Sequence, residues 1–203
     1  MLNLKKINPE FERALKNEGL RQEFIDSIDL GDTSRYIETV VYDPDYAEYF
    51  KRTRDWSLIG YFMITLTGFS LEDSRGKKST TYVSGRTFSD FRISNGVGFY
   101  TSLVDHEGQH AKDYFEGIEV ENIPVATSED PRFMWALLES RAYGHELHII
   151  KKERREVSVA YLEFTKDQYG WYTLMGVKSY ARNNTEKQIA EIMLKEYREL
   201  LNK

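Results

Sequence analysis

The stretch TSLVDHEGQHAKDYFEG, residues 101–117, carries two histidines four positions apart, His106 and His110, with Glu107 directly after the first. On an α-helix, which turns by about 100° per residue, the two imidazoles lie about 40° apart, so both can approach one metal ion. Glu107 lies about 100° from His106 and can reach an activated water without being a ligand. The stretch therefore predicts a helix with a metal site for hydrolysis, in which a carboxylate takes a proton from water.

Cysteine usage and charge limit the possible sites and partners. The chain of 203 residues has no cysteine, which excludes disulfides, thiolate zinc sites and cysteine catalysis. A tightly held transition metal must be bound by histidine and carboxylate side chains, and Zn²⁺ is the ion we expect. The net charge is −5, and no run of like charge is longer than KKERR at residues 151–155. We therefore expect no nucleic-acid partner.

The apolar segments are too short for membrane spans. Residues 1–10, MLNLKKINPE, lack the apolar run of a signal peptide. Residues 56–71 are uncharged, but they fall short of the roughly 20 residues that cross a bilayer. Their Ile, Thr, Tyr and Phe content favours buried strands. We therefore expect a cytoplasmic protein without a membrane partner.

The order of the predicted elements favours an α+β fold in a single domain over residues 1–203. Residues 1–34 form a helical segment. Residues 35–98 are rich in strand-forming side chains, are broken by glycines, and predict a small, twisted, mostly antiparallel sheet. Residues 99–203 form a helical half. After the first strand, near residue 40, the strands are expected in three runs, at residues 58–71, 79–85 and 87–94.

Three helices are strongly marked in the second half. The first covers about residues 99–115 and stops near Gly117, the second has Pro131 in its first turn, and the last begins at Thr185. Residues 158–182 are rich in aromatic side chains, and helix is the favoured prediction for them. Three side chains of the first helix are expected to anchor it in the core: Leu103, Val104 and Tyr114.

The second of these helices offers a third metal ligand. In LLESRAYGHEL, residues 137–147, the small Ala142 lies about 60° from Glu139 and lets two helices approach closely. Glu146 shares the face of Glu139 and is the alternative third ligand. His145 and His148 lie about 120° and 180° from Glu139, so neither can join an ion that Glu139 holds.

The His-Glu-x-x-His motif at residues 106–110, followed one helix later by E-x-x-A at residues 139–142, resembles the gluzincin clan of zinc metallopeptidases, and its small single-domain members in particular. The resemblance covers about residues 106–146. Because Glu139 precedes the alanine of this pattern, the resemblance favours Glu139 over Glu146 as the third ligand.

The resemblance implies a zincin-like fold and a peptidase mechanism. In such a site His106, His110 and Glu139 bind zinc, and Glu107 acts as base and proton shuttle. The family also has a strand before the motif helix whose edge pairs with an extended peptide, and residues 80–93 are that strand here. The expected partner is therefore a peptide or protein substrate; the oligomeric state stays open.

Two further polar side chains have alternative interpretations. Asp113 lies about 20° from the direction of His106 and either accepts a hydrogen bond from a ligand imidazole or is a surface aspartate. Tyr143, one turn after Glu139, either donates to the oxyanion of a tetrahedral intermediate as a catalytic group or packs in the core.

Three functions remain open at the level of sequence. The leading hypothesis is a zinc metallopeptidase. A second is a non-catalytic binding or regulatory module on a zincin scaffold that keeps zinc for structure, and a third is a metal-free interaction domain. Glu107 favours the enzyme, because a purely structural site needs no carboxylate beside its ligand.

Overall fold

The described residues of the computed structural model form an α+β fold, with a helical N-terminal segment, a small sheet and a larger helical half. The fold class predicted from the sequence is confirmed at this level. The structure describes residues 9–53, 63–66, 79–88, 97–125 and 130–202.

Short helices open the described chain and pack by their aromatic side chains. Phe11 and Phe24 are buried, and their rings lie 5.8 and 4.8 Å from the buried ring of Tyr100 between centroids. These edge contacts seat the N-terminal segment on the helix that begins at Val97. The opening elements are α1 (Pro9–Lys16), α2 (Arg21–Asp26) and a 3-10 turn at Gly31–Arg35.

The sheet among the described residues has three strands in the order β1-β3-β2. β3 pairs in parallel with β1 and antiparallel with β2, so the sheet is mixed and the prediction of a mostly antiparallel sheet is wrong for it. A parallel pair needs a long crossover, and residues 43–78, including α3 (Ala47–Thr53), lie between β1 and β3. The strands are β1 (Ile37–Tyr42), β2 (Met63–Leu66) and β3 (Ser79–Val83).

The region 80–93 does not form the predicted edge strand. Its strand part, β3, is the central strand and is paired on both sides, so its backbone is closed to an incoming peptide. Residues Gly85–Phe88 form a 3-10 turn, in which the Thr87 amide donates to the Ser84 carbonyl at 3.2 Å, and the Gly85 amide donates to the Pro44 carbonyl at 3.0 Å. Residues 89–93 of this prediction lie outside the described part of the chain.

The predicted helices of the second half are confirmed. α4 ends before Gly117, whose φ of +83° suits glycine, and α5 starts behind Asp130, whose carboxylate accepts from the Arg132 amide at 3.0 Å. α6 continues through a π-helical segment, Trp171–Val177, into the short α7. The helices are α4 (Val97–Glu116), α5 (Pro131–Glu153), α6 (Val159–Gly170), α7 (Lys178–Tyr180) and α8 (Asn184–Asn202).

A small hairpin that the sequence did not suggest connects α4 to α5. β4 (Glu119–Val120) and β5 (Ile123–Pro124) are antiparallel, and the two residues between them, Glu121 and Asn122, have φ values of 45° and 67°. A two-residue turn with positive φ at both positions matches the twist of a hairpin. It reverses the chain so that α5 returns along α4.

Leu103 and Val104 are buried and anchor α4, as predicted. Tyr114 is 60% exposed, so its prediction as an anchor is wrong. It lies in the last turns of α4, where its ring contacts the neighbouring Phe115 at a centroid distance of 5.2 Å. In the part of the chain that the structure describes, no helix has both the length and the apolar composition needed to cross a membrane.

Candidate metal centre

His106 and His110 project from one face of α4 toward Glu139 of α5. The two Nε2 atoms are 3.2 Å apart. Nε2 of His106 lies 3.7 Å from Oε2 of Glu139, and Nε2 of His110 lies 3.6 Å from Oε1 of the same carboxylate. The structure therefore brings together the three side chains that the sequence proposed as ligands, with one donor atom of each within 4.8 Å of the others.

The spacing of these donors fits a tetrahedral zinc ion. Donors about 2.0–2.1 Å from such an ion are about 3.3–3.4 Å from one another. The two imidazole nitrogens are 3.2 Å apart, and each lies 3.6–3.7 Å from a different oxygen of Glu139. Two imidazoles with one carboxylate are a donor set that zinc accepts.

The candidate donor side chains are partly accessible to solvent. The side chain of His106 is 8% exposed, whereas those of His110 and Glu139 are 22% and 13% exposed. Three protein donors with partly exposed side chains are compatible with water or substrate as a fourth ligand, which is the arrangement of catalytic zinc sites.

Close helix packing positions the donors. Ala142 is fully buried on α5, and its small side chain suits the predicted close approach of two helices. On its other side α4 approaches the turn at Gly31–Arg35 so closely that a Cβ at Gly108 would lie 2.5 Å from Cγ2 of Thr33. Glycine is therefore required in the middle of the motif, between Glu107 and Gln109.

Glu146 contacts the far side of the His106 ring rather than the donor atoms. Its Oε2 lies 3.2 Å from Nδ1 of His106, and its Oε1 accepts a hydrogen bond from the hydroxyl of Tyr161 on α6. The side chain of Glu146 is 0% exposed. The geometry therefore favours Glu139 over Glu146 as the third ligand, and it gives Glu146 a different contact to the same histidine.

Burial and two nearby carboxylates have opposite effects on the pKa of the His106 imidazole. Burial alone lowers the pKa of this imidazole, but the carboxylates of Glu139 and Glu146 outweigh burial and raise that pKa to about 10. Burial raises the pKa of the Glu139 carboxyl, and the two histidines reverse this effect and leave it below its usual value. Without metal the site is thus an ion pair, and a metal ion has to displace the His106 proton.

Tyr143 lies against a donor side chain, and Glu107 is the residue after His106 on α4. Glu107 is buried, and the ring of Tyr143 packs on the ring of His106 at a centroid distance of 4.4 Å. Burial raises the pKa of the Tyr143 phenol well above its usual value, and the charges of nearby carboxylates, Glu107 included, add to the shift. Tyr143 therefore keeps its proton at neutral pH, and it also packs, stacking on Tyr172 at 5.7 Å.

Neither prediction for Asp113 is correct. This side chain is buried, so it is not a surface aspartate, and its carboxylate accepts from Gln109 at 2.7 Å and from Nε and Nη2 of Arg141 at 2.8 Å. A guanidinium that binds both oxygens outcompetes a histidine ring for this carboxylate. The carboxylate that contacts a ligand imidazole is Glu146, and the pair Asp113–Arg141 instead clamps α4 to α5.

His145 and His148 lie away from the donors, as the helix geometry predicted. His148 is exposed. His145 lines a cavity of about 340 Å³ between α5 and α8, and burial followed by the charges of Lys112 and His148 lowers its pKa to about 4.

The sequence did not reveal Tyr161. Its contact with Glu146 depends on how α6 packs against α5, and no spacing along the chain indicates that packing.

Comparison of the chain with protein-family models, with curated proteins and with solved structures finds no match. The motif residues and their geometry are therefore the features of this chain that point to a function.

Proposed function

We propose that this chain is a zinc-dependent metallopeptidase with a zincin-like site. The observation that supports the proposal is the convergence of His106, His110 and Glu139, with one donor atom of each within 4.8 Å of the others and Glu107 directly after His106 on the same helix. Two imidazoles and one carboxylate supply three donors, and a catalytic zinc site takes water or substrate as the fourth. The substrate class in this proposal is a peptide or an unstructured protein.

Each side chain has a separate role in this mechanism. A zinc ion held by His106, His110 and Glu139 would supply a Lewis acid that makes water acidic near neutral pH. Glu107, which is not one of the three donors, takes the proton from the attacking water and delivers it to the leaving amine. Tyr143 keeps its phenolic proton and donates it in a hydrogen bond to the developing oxyanion.

The accessible donors and the buried Glu107 favour catalysis over a structural metal. A structural zinc site in a protein is closed by four protein ligands, whereas the described residues offer a group of three donors, of which His110 and Glu139 are partly exposed. A non-catalytic module would have no use for a buried carboxylate beside its first ligand, because burying a charge costs free energy unless a partner or a function compensates it.

The direct test combines metal content with peptide cleavage. We expect about one zinc ion per chain after purification without chelator. We expect cleavage of casein that stops on chelation and returns when zinc is added. His110→Ala should lose both the metal and the activity, while His148→Ala on the exposed face of α5 should keep both. If the protein contains zinc but cleaves no peptide, the non-catalytic module is favoured. If the protein takes up no zinc, both the peptidase and the zinc-binding module are excluded.

A further inference from the structure

We infer that Glu146 and Tyr161 are a positioning pair for the metal site: Tyr161 holds the Glu146 carboxylate, and that carboxylate holds His106 with Nε2 toward the ion. The inference rests on the proposed metal site and deepens it, because it assigns a role to two buried side chains that the mechanism above does not use.

The contacts connect the three side chains into one path from α6 through α5 to α4. The Tyr161 hydroxyl donates to Oε1 of Glu146, and Oε2 of Glu146 lies 3.2 Å from Nδ1 of His106. The opposite nitrogen of the same ring, Nε2, is the atom that lies 3.2 Å from His110 and 3.7 Å from Glu139. The two carboxylates therefore contact different edges of one imidazole.

The contact of Glu146 with Nδ1, on the edge opposite Nε2, fixes the orientation and the tautomer of the His106 ring. A neutral imidazole has one N–H and one lone pair, and an ionised carboxylate can only accept a hydrogen bond. Glu146 therefore selects the tautomer with hydrogen on Nδ1, which leaves the Nε2 lone pair directed at the ion. A carboxylate in this place also makes the ligand nitrogen more basic and prevents the ring from rotating.

Tyr161 is needed because Glu146 has no access to solvent. A fully buried carboxylate that is bound on one oxygen only is costly, and the Tyr161 hydroxyl satisfies the other oxygen. The phenol itself is held by ring contacts with Phe99 at 4.7 Å and Phe164 at 6.3 Å between centroids. Tyr161→Phe can therefore remove the hydrogen bond and leave the ring packing in place.

The experiment measures zinc affinity by competition with a chromogenic chelator, in full-length protein. We expect Glu146→Gln and Tyr161→Phe to weaken zinc binding within the range of about 10–100-fold that is typical for such supporting contacts, with Tyr161→Phe nearer the lower end. Tyr100→Phe is the matched control. Tyr100 is also a buried tyrosine, its hydroxyl has no hydrogen-bond partner within the described residues, and its variant should keep the wild-type affinity.

A second measurement separates positioning from general stability. In zinc-loaded wild type, the Nδ1–H proton of His106 should give a slowly exchanging, strongly downfield NMR resonance. The resonance should move upfield or exchange rapidly in Glu146→Gln and shift less in Tyr161→Phe. Thermal unfolding of the metal-free variants measures how much each substitution lowers the stability of the fold, independently of zinc binding. If Glu146→Gln does not fold, Tyr161→Phe alone tests whether the pair positions His106.

Different results would contradict the positioning role of Glu146 and Tyr161 and the proposed function. If wild type binds zinc but Tyr161→Phe leaves both the affinity and the Nδ1–H resonance unchanged, the positioning role is wrong and the metal site stands. If Glu146→Gln abolishes zinc binding as fully as His110→Ala does, Glu146 is a ligand and the inference is also wrong. If wild type takes up no zinc, the proposed function fails and this inference fails with it.

Discussion

At the scale of single residues, the proposed role of Glu107 is what separates a peptidase from a protein that merely holds zinc. The side chain is buried on α4 next to His106 but is not one of the three converging donors. Its proposed work is to accept and return a proton, which an amide of the same shape cannot do.

We therefore expect Glu107→Gln to lower kcat by about a hundredfold to ten-thousandfold, the usual contribution of a general acid–base group. Zinc content and the melting temperature should stay close to wild type, because no ligand is removed. Steady-state cleavage of a fluorogenic peptide, together with elemental analysis of the same preparation, tests this. A variant that keeps its zinc and its full kcat would show that another group is the base.

His145 makes a different prediction, about stability in acid. In the folded protein its pKa is lowered to about 4, first by burial and then by neighbouring positive charges, while Asp113 acts in the opposite direction. An unfolded histidine titrates near 6.5, so between about pH 6.5 and 4 the unfolded chain binds the extra proton. Protonation of His145 in the unfolded chain therefore lowers the free energy of unfolding as pH falls through this window. Three neighbouring cationic side chains contribute to the lowered pKa of His145: Lys112, His148 and His106.

His145→Gln should flatten the fall in the free energy of unfolding between pH 6.5 and 4. The reason is that glutamine cannot take up the proton that stabilises the unfolded wild type. His148→Gln, an exposed neighbour on the same helix, removes only one of the charges that act on His145, so it should change the slope less than His145→Gln does. Urea unfolding at four or five pH values measures both, and equal slopes for wild type and His145→Gln would contradict the assignment.

At the scale of elements, the sequence predicted the helices because their signals are local. Gly117 ends α4 with a positive φ, and Asp130 caps α5 one residue before Pro131. The ligand pair His106 and His110 was found for the same reason, since a spacing of four places two side chains on one helix face.

The pairing of strands and the buried charge contacts could not be predicted in the same way. β3 binds to β1, which lies more than thirty residues earlier, and this parallel pairing makes β3 central instead of an edge. Asp113 binds Arg141 on the next helix, and Tyr161 binds Glu146 from a third helix. Each contact depends on the relative placement of two elements, which periodicity within one element does not specify.

The close approach of α4 to the turn at Gly31–Arg35 gives an element-scale prediction. Glycine to alanine inside a helix normally gains about 1 kcal/mol of helix propensity. At Gly108 the new Cβ would lie 2.5 Å from Cγ2 of the buried Thr33, which forces the helix and the turn apart. We expect Gly108→Ala to lower the free energy of unfolding by about 1–2 kcal/mol, because overpacking outweighs propensity.

Gly19→Ala is the matched control for this substitution. A Cβ at Gly19 meets only the Asn17 amide oxygen, at 3.4 Å, so the variant should remain within about 0.5 kcal/mol of wild type. Urea unfolding compares the two. A Gly108→Ala protein as stable as the control would mean that α4 can move away from Thr33 without loss.

At the scale of the whole molecule, the candidate metal centre lies between residues of α5 that belong to two different hydrophobic clusters. The first cluster joins the N-terminal helices and the sheet to α4 and Tyr161, and the second joins the start of α5 to the π-helical segment and α8. α5 belongs to both, with Leu137 in the second cluster and Ile150 in the first. Glu139 and Glu146 lie between these positions, so an ion bound to α4 and α5 ties the two clusters together.

Zinc should therefore stabilise the entire fold rather than one loop. An ion that binds only the folded chain adds about 2.7 kcal/mol at a free concentration a hundred times its Kd, because the unfolded chain lacks the assembled donors. For a chain of this size that increment raises Tm by about 5–11 °C. Scanning calorimetry of chelator-treated protein with and without zinc measures the shift. His110→Ala should lose the shift, while His148→Ala should retain it. A shift that persists in His110→Ala would place the stabilising ion elsewhere and remove the link between the metal and the contact of α4 with α5.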